Sequence, residues 1–402
     1  MKLTLLRDPL IGVVKACNRT LSTRAADVIE HKVLSIKFNL IEHPDILVFS
    51  ARGQYNAFVS RVKCVEEAER KDEDDISFDI YLNAGTLLHI LTTFTSEKVT
   101  FEVGNTLVTI VGNGTANIRK EVVTKEDYAN AFLGFIYEGE SRKFDITQSL
   151  ADEIRLAEIF TISNPSVGEE YFGGICVSKE NIMACNRYSG IIRNIPPDIN
   201  IPTKVNIDPI LFEMLSSVKG EGVLSIDEKN PPILKDLGTA IILKKDTDVA
   251  ESFAMALKYN IDYPDKVIID TINKCRDSDA MRSISIKTSV LREAMSRIMG
   301  FIRENQGDKI SVMESVDGKS IVVRTKVRTA TAEVDSYTET IEANIEKKGE
   351  CEEISLIINP VDIVKILSVY TSEEFVIKSA SNKVPFFVEE DATLFFGAVY
   401  SQ

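Results

Sequence analysis

The sequence is short of the residues on which most enzymes and metal centres depend. It contains only three histidines, His31, His43 and His89, and its six cysteines are scattered along the chain. No two cysteines are spaced as C-x-x-C, and no histidine lies where it would complete a zinc site. We therefore expect reduced thiols, no metal and no cofactor. The motifs of nucleophile elbows, metalloproteases and kinases are also absent, so no catalytic constellation is evident.

Long hydrophobic runs are missing as well. No run of about 18 apolar residues occurs, and the N-terminus is too short and too quickly charged for a signal peptide. We expect a cytoplasmic protein without membrane contact. The formal net charge of −14 argues against a protein that coats nucleic acid with its outer surface, because phosphate binding needs a basic face. A basic patch that faces one way on an acidic body stays compatible with this charge.

One pattern occurs three times in the sequence. A short strand-like run leads to a polar residue and then to apolar positions three and four apart, which is the spacing of an amphipathic helix. The polar residues are Asp8, Ser149 and Ser289, so the copies start 141 and 140 residues apart. That interval is too long for a solenoid repeat of about 20 to 50 residues and matches a whole domain. The 402-residue chain is thus predicted to hold three copies of one fold.

A weaker copy of the pattern lies in the second half of each domain. It starts with the strand-like segments 81–83, 205–208 and 356–359. Three dipeptides put a capping side chain before a proline at the first helical position: Asp8-Pro9, Asp208-Pro209 and Asn359-Pro360. We predict six strand-to-helix starts, two in each domain.

The rest of the sequence reads mainly as strands and hairpins. Alternating runs flank Gly104-Asn105 and Asp317-Gly318, which are two-residue hairpin signals. Polar connectors at 137–142 and 273–279 separate the repeats. We therefore expect an α+β chain with two amphipathic helices packed on antiparallel sheets in each copy. The predicted domains are residues 1–138, 139–276 and 277–402.

The predicted helices carry scattered cations. Lys15 and Arg19 lie four apart on the first helix, and Arg155 lies on the first helix of the second copy. A charged face on a single amphipathic helix is usually just solvated. Six equivalent helices that pack their apolar stripes on sheets could instead turn their polar faces to one side. Such a side would be a locally basic surface on an acidic protein.

The triple repeat with its internal half-repeats resembles the bacterial DNA polymerase III beta sliding clamp over the whole chain. At the motif level, Asn260-Ile261-Asp262-Tyr263 resembles the F-P-D-Y of that family, and Tyr171-Phe172-Gly173-Gly174 resembles its Y-L-N-G. Residues 184–189 stand where the family has A-T-D-G-H-R, with only the alanine shared. Residues 385–389 fit the strand before the C-terminus. The chain ends in residues 397–402 without the M-P-M-R-L type of tail.

This resemblance implies three tandem DNA-clamp domains that form half of a closed ring. Two copies would close head to tail around double-stranded DNA, which they would hold topologically and without sequence preference. The implied function is that of a processivity factor without enzymatic activity, which tethers the replicative DNA polymerase and other clients. A clamp loader would open and close the ring. The implied location is the cytoplasm, in association with the nucleoid.

The resemblance also implies three sets of site residues. The helices would direct cations at DNA, namely Lys15, Arg19, Arg24, Arg155, Arg292, Arg297 and Arg303. A client-peptide pocket would be formed by Phe172, Cys185, Tyr188, Ile191, Ile261, Val267, Pro385, Phe396, Val399 and Tyr400. Ring closure would join Ala116 and Ile118 of the first domain to Phe301 and Ile302 of the third.

Two other functions remain compatible with the sequence. The first is a three-domain structural or scaffold protein, such as a viral assembly component, that has the same fold but does not encircle DNA. The second is an enzyme with a site between domains. The shortage of histidines and the lack of a nucleophile cluster weigh against the second alternative.

Overall fold

The protein is an α+β chain of seven α-helices and antiparallel sheets within the described residues. The computed structural model describes residues 1–21, 33–39, 45–53, 56–69, 77–123, 142–162, 168–197, 204–215, 222–226, 240–257, 263–304, 311–315, 318–328 and 333–400. The helices are α1 (Arg7–Leu21), α2 (Ala84–Thr93), α3 (Gln148–Glu158), α4 (Ile210–Leu215), α5 (Asp265–Arg276), α6 (Thr288–Glu304) and α7 (Pro360–Val369). None of them, in the part of the chain described, has the length and apolarity that a membrane span requires.

The chain divides into two compact units, residues 1–151 with 207–260 and residues 152–206 with 261–402. The first unit contains β1 (Lys2–Leu6), β2 (Val33–Asn39), β3 (Ile46–Arg52), β4 (Asn56–Lys63), β5 (Glu66–Glu69), β6 (Ser77–Asn83), β7 (Lys98–Val103), β8 (Leu107–Val111), β9 (Thr115–Arg119), β10 (Arg142–Ile146), and then β15 (Gly222–Ile226), β16 (Ala240–Asp246) and β17 (Ala250–Leu257). They form a five-stranded sheet, β5-β1-β7-β8-β9, and an eight-stranded sheet, β10-β15-β16-β17-β4-β3-β2-β6.

The second unit is built on a nine-stranded and a four-stranded sheet. Its strands are β11 (Ile175–Val177), β12 (Asn181–Cys185), β13 (Ser189–Asn194), β14 (Val205–Ile207), β18 (Met281–Lys287), β19 (Ser311–Ser315), β20 (Ser320–Arg328), β21 (Glu333–Glu342), β22 (Asn344–Lys348), β23 (Ser355–Ile358), β24 (Glu374–Ser379), β25 (Phe386–Glu390) and β26 (Thr393–Gly397). The strand orders are β14-β11-β12-β13-β26-β25-β24-β18-β22 and β21-β20-β19-β23.

All six predicted strand-to-helix starts are present: β1 to α1, β6 to α2, β10 to α3, β14 to α4, β18 to α6 and β23 to α7. Capping follows the sequence at two of the proline dipeptides. The Asp208 carboxylate accepts from the amide of Ile210, and the Asn359 side chain accepts from the amide of Val361. At the third dipeptide the helix begins one residue early, at Arg7, so Asp8 lies in its first turn and does not cap it. There its negative charge still interacts favourably with the positive end of the helix dipole.

In the first unit, α1 packs on β3 and β4 of the eight-stranded sheet, and α4 packs on β16 and β17. The buried stripe of α1 includes Leu10, Val13, Val14 and Cys17, which lie three or four residues apart. Burial of each such side chain stabilises the fold by about 1.5–3 kcal/mol. The helix period predicted from the sequence therefore corresponds to the face that meets the sheet.

The nine-stranded sheet of the second unit is covered on both faces. On one face α6 packs on β18 and β24, α7 packs on β26, and the ring of Phe160 lies 6.0 Å from that of Phe395. On the other face, Ile268 and Ile269 of α5 pack against Met183 and Cys185. Alternation along β26 separates the two faces, because successive side chains of a strand point to opposite sides.

Helix α5 corrects one expectation. Residues 273–279 were predicted to be a polar connector, but Asn273 to Arg276 form the last turn of this helix. The polar residues of that turn are exposed or half-buried, whereas Ile272 and Cys275 are buried. Of the other connector, residues 137–141 lie outside the described residues, and Arg142 already begins β10.

Candidate functional site

One aromatic cluster lies where α5 begins, on the α5 face of the nine-stranded sheet. Tyr263 is buried at the centre, next to Cys176, Met183 and Cys185, and half-buried Tyr171, Phe172, Ile192, Ile268, Ile269 and Phe396 pack around it. The ring of Tyr171 meets that of Tyr263 edge to face, 6.1 Å between centroids. A short 3-10 helix, Glu170–Gly173, positions Tyr171 and Phe172. The half-buried rings leave apolar surface at the rim of this cluster.

Gly190 permits the close packing of this cluster. It pairs with Phe396 across β13 and β26. A Cβ atom at position 190 would collide with the Phe396 ring, the Cys185 Cβ and the Ala184 carbonyl. Only a residue without a side chain lets the Phe396 ring approach the strand this closely.

Beside the cluster, the C-terminal segment crosses the turn between β12 and β13. The rings of Tyr188 and Tyr400 lie 5.6 Å apart at 34°. The Ala398 amide donates to the Tyr188 carbonyl, and the Tyr400 amide donates to the Ile357 carbonyl at 2.8 Å. The turn is held in shape by Asn186, whose Oδ1 accepts from the amides of Tyr188 and Ser189. Tyr188 is nevertheless 45% exposed, so one side of this aromatic pair faces solvent.

A buried carboxyl lies under the segment. The Ser189 hydroxyl donates to Oδ1 of Asp362 at 2.8 Å, while Oδ2 of Asp362 is buried and has no hydrogen-bond partner among the described residues. Burial raises the pKa of Asp362, and the Ser189 hydroxyl and the charge of Lys365 oppose the rise. Burial also raises the pKa of Tyr400 to about 12, with a smaller contribution from Asp362.

The thiols in the cluster are not activated as nucleophiles or as metal ligands. Burial raises the pKa of both Cys176 and Cys185 to about 12. The Tyr263 hydroxyl donates to the Cys185 sulfur at 3.2 Å, and burial raises the Tyr263 pKa well above its usual range. Thiols that stay protonated at neutral pH are poor nucleophiles and poor metal ligands. The arrangement suits binding of apolar side chains, not bond making.

The structure brings five of the ten predicted pocket residues to the aromatic cluster or to the neighbouring tyrosine pair. Phe172, Cys185 and Phe396 belong to the aromatic cluster, and Tyr188 and Tyr400 form the neighbouring pair. Ile191 pairs with Phe395 on the opposite face of the sheet and is buried there. The remaining positions are Pro385 and Val399, which are half-buried, Val267, which is 67% exposed on α5, and Ile261, which lies outside the described residues.

Most of the predicted DNA-facing cations already contact protein acceptors. Arg19 donates to the Glu213 carbonyl, Arg155 lies 3.4 Å from Asp152, and Arg297 is bonded to Glu339. Arg292 donates to the carbonyls of Leu367 and Tyr370 at the end of α7. Lys15 and Arg303 are exposed and have no ion-pair partner within the described ranges. Arg24 lies outside them.

The residues predicted to close a ring occupy two edge regions. Ala116 and Ile118 lie on β9, the edge strand of the five-stranded sheet. Phe301 and Ile302 lie near the end of α6, where the Phe301 ring meets that of Tyr337 on β21 at 5.7 Å. Strand β21 is itself the edge of the four-stranded sheet.

Three features of this region differ from the sequence prediction: helix α5, Tyr263 as a pocket residue, and the buried Asp362. A signal for α5 was present, because Ile268, Ile269, Ile272 and Cys275 recur at helical spacing. No such signal marks Asp362, since an acidic residue in the first turn of a helix is ordinarily exposed. Its buried position brings it into contact with Ser189, which is 173 residues away in the sequence.

No protein-family model matches the sequence, and no curated protein matches it. Solved structures do match over the full chain. A putative DNA polymerase III beta subunit from Eubacterium rectale has 16% identity, covers 100% of both chains and gives a TM-score of 0.71. The beta subunit from Thermotoga maritima has 12% identity and a TM-score of 0.74, with 100% of this chain and 99% of that chain covered.

A third match is the Helicobacter pylori beta clamp bound to a DNA ligase peptide. Its identity is 11%, its TM-score is 0.66, and both chains are covered at 100%. Full coverage at such low identity is a likeness of fold. The chain therefore has the sliding-clamp fold, and the architecture implied by the sequence resemblance is confirmed at that level.

Proposed function

We propose that this chain is a DNA sliding clamp: a processivity factor, without enzymatic activity of its own, that encircles duplex DNA as a ring of two copies. The observation that carries the proposal is the clamp fold over the full length of the chain. Held at the DNA, such a ring would tether the replicative polymerase and other clients. It would work in the cytoplasm, at the nucleoid.

Repeated strand pairing supports ring closure. In the first unit, β4 pairs antiparallel with β17, and in the second unit β13 pairs antiparallel with β26. In the proposed repeats, the boundaries lie after residues 138 and 276. Strands β4 and β13 are then equivalent strands of copies one and two, and β17 and β26 are the last strands of copies two and three. The counterpart of β4 and β13 in copy three is β21, and the counterpart of β17 and β26 in copy one is β9. Among the described residues, these two strands take part in no such pairing.

Both leftover strands are sheet edges. An edge strand presents unpaired backbone groups and ordinarily needs a partner or a cover. Two copies related by a twofold axis would pair β21 of each with β9 of the other and would leave neither edge open. This pairing would bring Ala116 and Ile118 of β9 next to β21, whose Tyr337 ring contacts Phe301 of α6.

The helix faces suit sliding. A ring that moves along DNA must not hold any phosphate tightly, and its affinity comes from topology. The exposed helix faces carry cations and also Asp8, Asp152, Glu213 and Glu293. The electrostatic attraction of these helix faces to DNA is accordingly weak. The acidic remainder of the protein repels DNA from the other surfaces.

The client groove proposed here combines the aromatic cluster around Tyr263 with the Tyr188–Tyr400 pair. Half-buried Phe172 and Phe396 offer apolar contact to an inserted hydrophobic side chain, and Tyr188 and Tyr400 offer rings with polar tips. Support comes from the Helicobacter pylori clamp, which was solved with a ligase peptide. A clamp loader would act on the same ring to open it around DNA.

The deciding experiment traps the ring on DNA. Cysteines at 117 on β9 and at 338 on β21, the two strands proposed to pair, are oxidised in the presence of nicked circular plasmid. The expected product is a covalent dimer that stays on the circle in denaturing detergent and is lost when the plasmid is linearised. Equal retention on circular and linear plasmid would contradict encirclement.

One observation favours the alternative of a scaffold protein that has the clamp fold but does not encircle DNA. Four of the seven predicted DNA-facing cations are bound to protein acceptors, namely Arg19, Arg155, Arg292 and Arg297. Light scattering after size exclusion separates the two functions. A chain that stays monomeric at micromolar concentration supports the scaffold.

A further inference from the structure

Both rings of the tyrosine pair in the proposed client groove are tied to the start of helix α7. The side chain of Asn359, the N-cap residue of α7, is hydrogen-bonded to the Tyr400 hydroxyl. Tyr188 is connected to the same helix less directly, through a chain of side-chain hydrogen bonds that ends at the buried carboxyl of Asp362. The atoms in this chain fix the direction of each bond.

The chain begins at the turn between β12 and β13. Oδ1 of Asn186 accepts from the backbone amides of Tyr188 and Ser189, at 2.7 Å each. Nδ2 of Asn186 donates to the Ser189 hydroxyl oxygen at 3.0 Å, and the Ser189 hydroxyl donates to Oδ1 of Asp362 at 2.8 Å. Three side chains therefore link the backbone of Tyr188 to α7.

These hydrogen bonds run in one direction only. A backbone amide can only donate, so the oxygen of Asn186 must face the two amides and its NH2 group must face Ser189. The Ser189 oxygen accepts from that NH2 group, and its single proton goes to Oδ1 of Asp362, which must be an acceptor. Ser189 is 0% exposed and Asp362 is 4% exposed, so solvent cannot replace a partner that is lost.

The chain acts on the exposed half of the groove. Tyr188 is 45% exposed, so packing constrains its ring on one side only. Its backbone is held at both polar groups, because the amide donates to Asn186 and the carbonyl accepts from the amide of Ala398 in the C-terminal segment. A shift of Asn186 would therefore move the Tyr188 ring relative to Tyr400.

We propose that Asn186, Ser189 and Asp362 are positioning residues for client binding, and that their one-directional hydrogen-bond chain holds Tyr188 where it and Tyr400 can receive an apolar side chain. The three residues act through Tyr188 and not by touching the client. This role rests on the proposed client groove, because it is a role within that groove.

The test reverses the chain. Asn186→Asp puts an acceptor where Ser189 needs a donor, so that one hydroxyl proton faces two carboxylates. Adding Asp362→Asn exchanges acid and amide: the new amide at position 362 donates to Ser189, and Ser189 donates to the new acid at position 186. The exchange keeps the net charge and reverses both side-chain bonds of Ser189, so it should restore what Asn186→Asp removes.

The probe is a labelled 12-residue peptide, selected from a displayed random library on the full-length chain and kept because Tyr400→Ala abolishes its binding. Asn186→Asp should weaken its binding about tenfold, and the exchange variant should bind within threefold of the original chain. The gain from Asp362→Asn should thus be about tenfold larger beside Asn186→Asp than alone. Asn194→Asp makes the same charge change at the exposed end of β13 and, as the matched control, should leave binding within twofold.

Ser189→Ala provides a second variant, because it removes the middle of the chain without a change of charge. It should weaken the same peptide about tenfold, and in its presence Asp362→Asn should no longer rescue Asn186→Asp. Unchanged binding in Ser189→Ala, or additive effects at positions 186 and 362 while Ser189 is present, would overturn the positioning role and leave the client groove standing. A selection that yields no peptide sensitive to Tyr400→Ala would overturn the groove and this role with it.

Discussion

The rings of Tyr188 and Tyr400 lie 5.6 Å apart and join the turn before β13 to the end of the chain, 212 residues further along the sequence. This pair is the exposed part of the proposed client groove. Its position depends on two backbone hydrogen bonds, from Ala398 to Tyr188 and from Tyr400 to Ile357. The groove is therefore built partly by a segment that a short truncation would remove.

Tyr400→Ala should weaken client-peptide binding about tenfold, which corresponds to about 1.4 kcal/mol. The variant removes one wall of the aromatic pair and about 0.5–1.5 kcal/mol of ring contact. Fluorescence anisotropy with a labelled hydrophobic client peptide measures the effect. Tyr400→Phe keeps the ring and should bind within threefold. Equal loss in both variants would show that the hydroxyl, not ring contact, carries the affinity.

Asp362→Asn should raise the melting temperature at neutral pH. Burial raises the pKa of Asp362 above its usual value of 3.8. A carboxyl with a raised pKa in the folded state favours folding while it is protonated, and that contribution is lost as pH rises through the folded-state pKa. Asparagine keeps the neutral shape at every pH, so its advantage should appear above that pKa and shrink towards pH 3.5.

Calorimetry between pH 3.5 and 8 tests this expectation. Asp270→Asn, which removes an exposed carboxyl on α5, is the control and should give no comparable trend. A melting temperature for Asp362→Asn below that of the original chain at pH 7 would mean that the Ser189–Asp362 contact needs the charged form.

Lys15→Glu and Arg303→Glu should weaken retention on circular DNA more than Arg297→Ala does. Lys15 and Arg303 have no ion-pair partner within the described residues, whereas the Arg297 guanidinium is already bonded to Glu339. Each phosphate contact that is lost should lower the slope of log affinity against log salt by about one. Retention measured from 50 to 200 mM salt gives the slopes. Identical slopes for all three variants would place the DNA elsewhere.

The pair Asn117→Cys and Thr338→Cys should form a disulfide-linked dimer under mild oxidation. Asn117 and Thr338 are exposed, so neither substitution should disturb the core. Opposed residues of antiparallel strands have Cβ atoms about 4.5–5.5 Å apart, which suits a disulfide. Non-reducing electrophoresis measures the product. Asn117→Cys with Thr340→Cys tests the register, because the pair that crosslinks more strongly identifies which residue of β21 lies nearer Asn117. A crosslink in neither pair would contradict pairing of the two strands.

Much of the fold could be predicted from signals that are local in the sequence. The hairpin between β7 and β8 forms, because turn chemistry and strand alternation are both local signals, but Gly104 pairs with Leu107 and the turn lies at Asn105-Thr106, one residue later than predicted. The six strand-to-helix starts follow for the same reason. Helix α5 is the exception: Ile268, Ile269, Ile272 and Cys275 have helical spacing, but the polar composition near Asn273 and Arg276 predicts a connector.

The candidate site shows the limit of local signals. Strand alternation puts Ile191 and Phe396 on opposite faces of one sheet, and this follows only once β13 and β26 are known to pair in their observed register. The contact between Ser189 and Asp362 likewise joins positions 173 residues apart. Neither the strand pairing nor this contact leaves a trace within a few residues in sequence.

What the sequence determined by itself was the repeat and the periods of the helices and strands, because each depends on residue type and spacing along the chain. What only the tertiary structure decided was which residues share a surface. Tyr188 meets Tyr400 through strand pairings that join segments far apart in sequence. Such pairings depend on the packing of whole sheets, which no local pattern specifies.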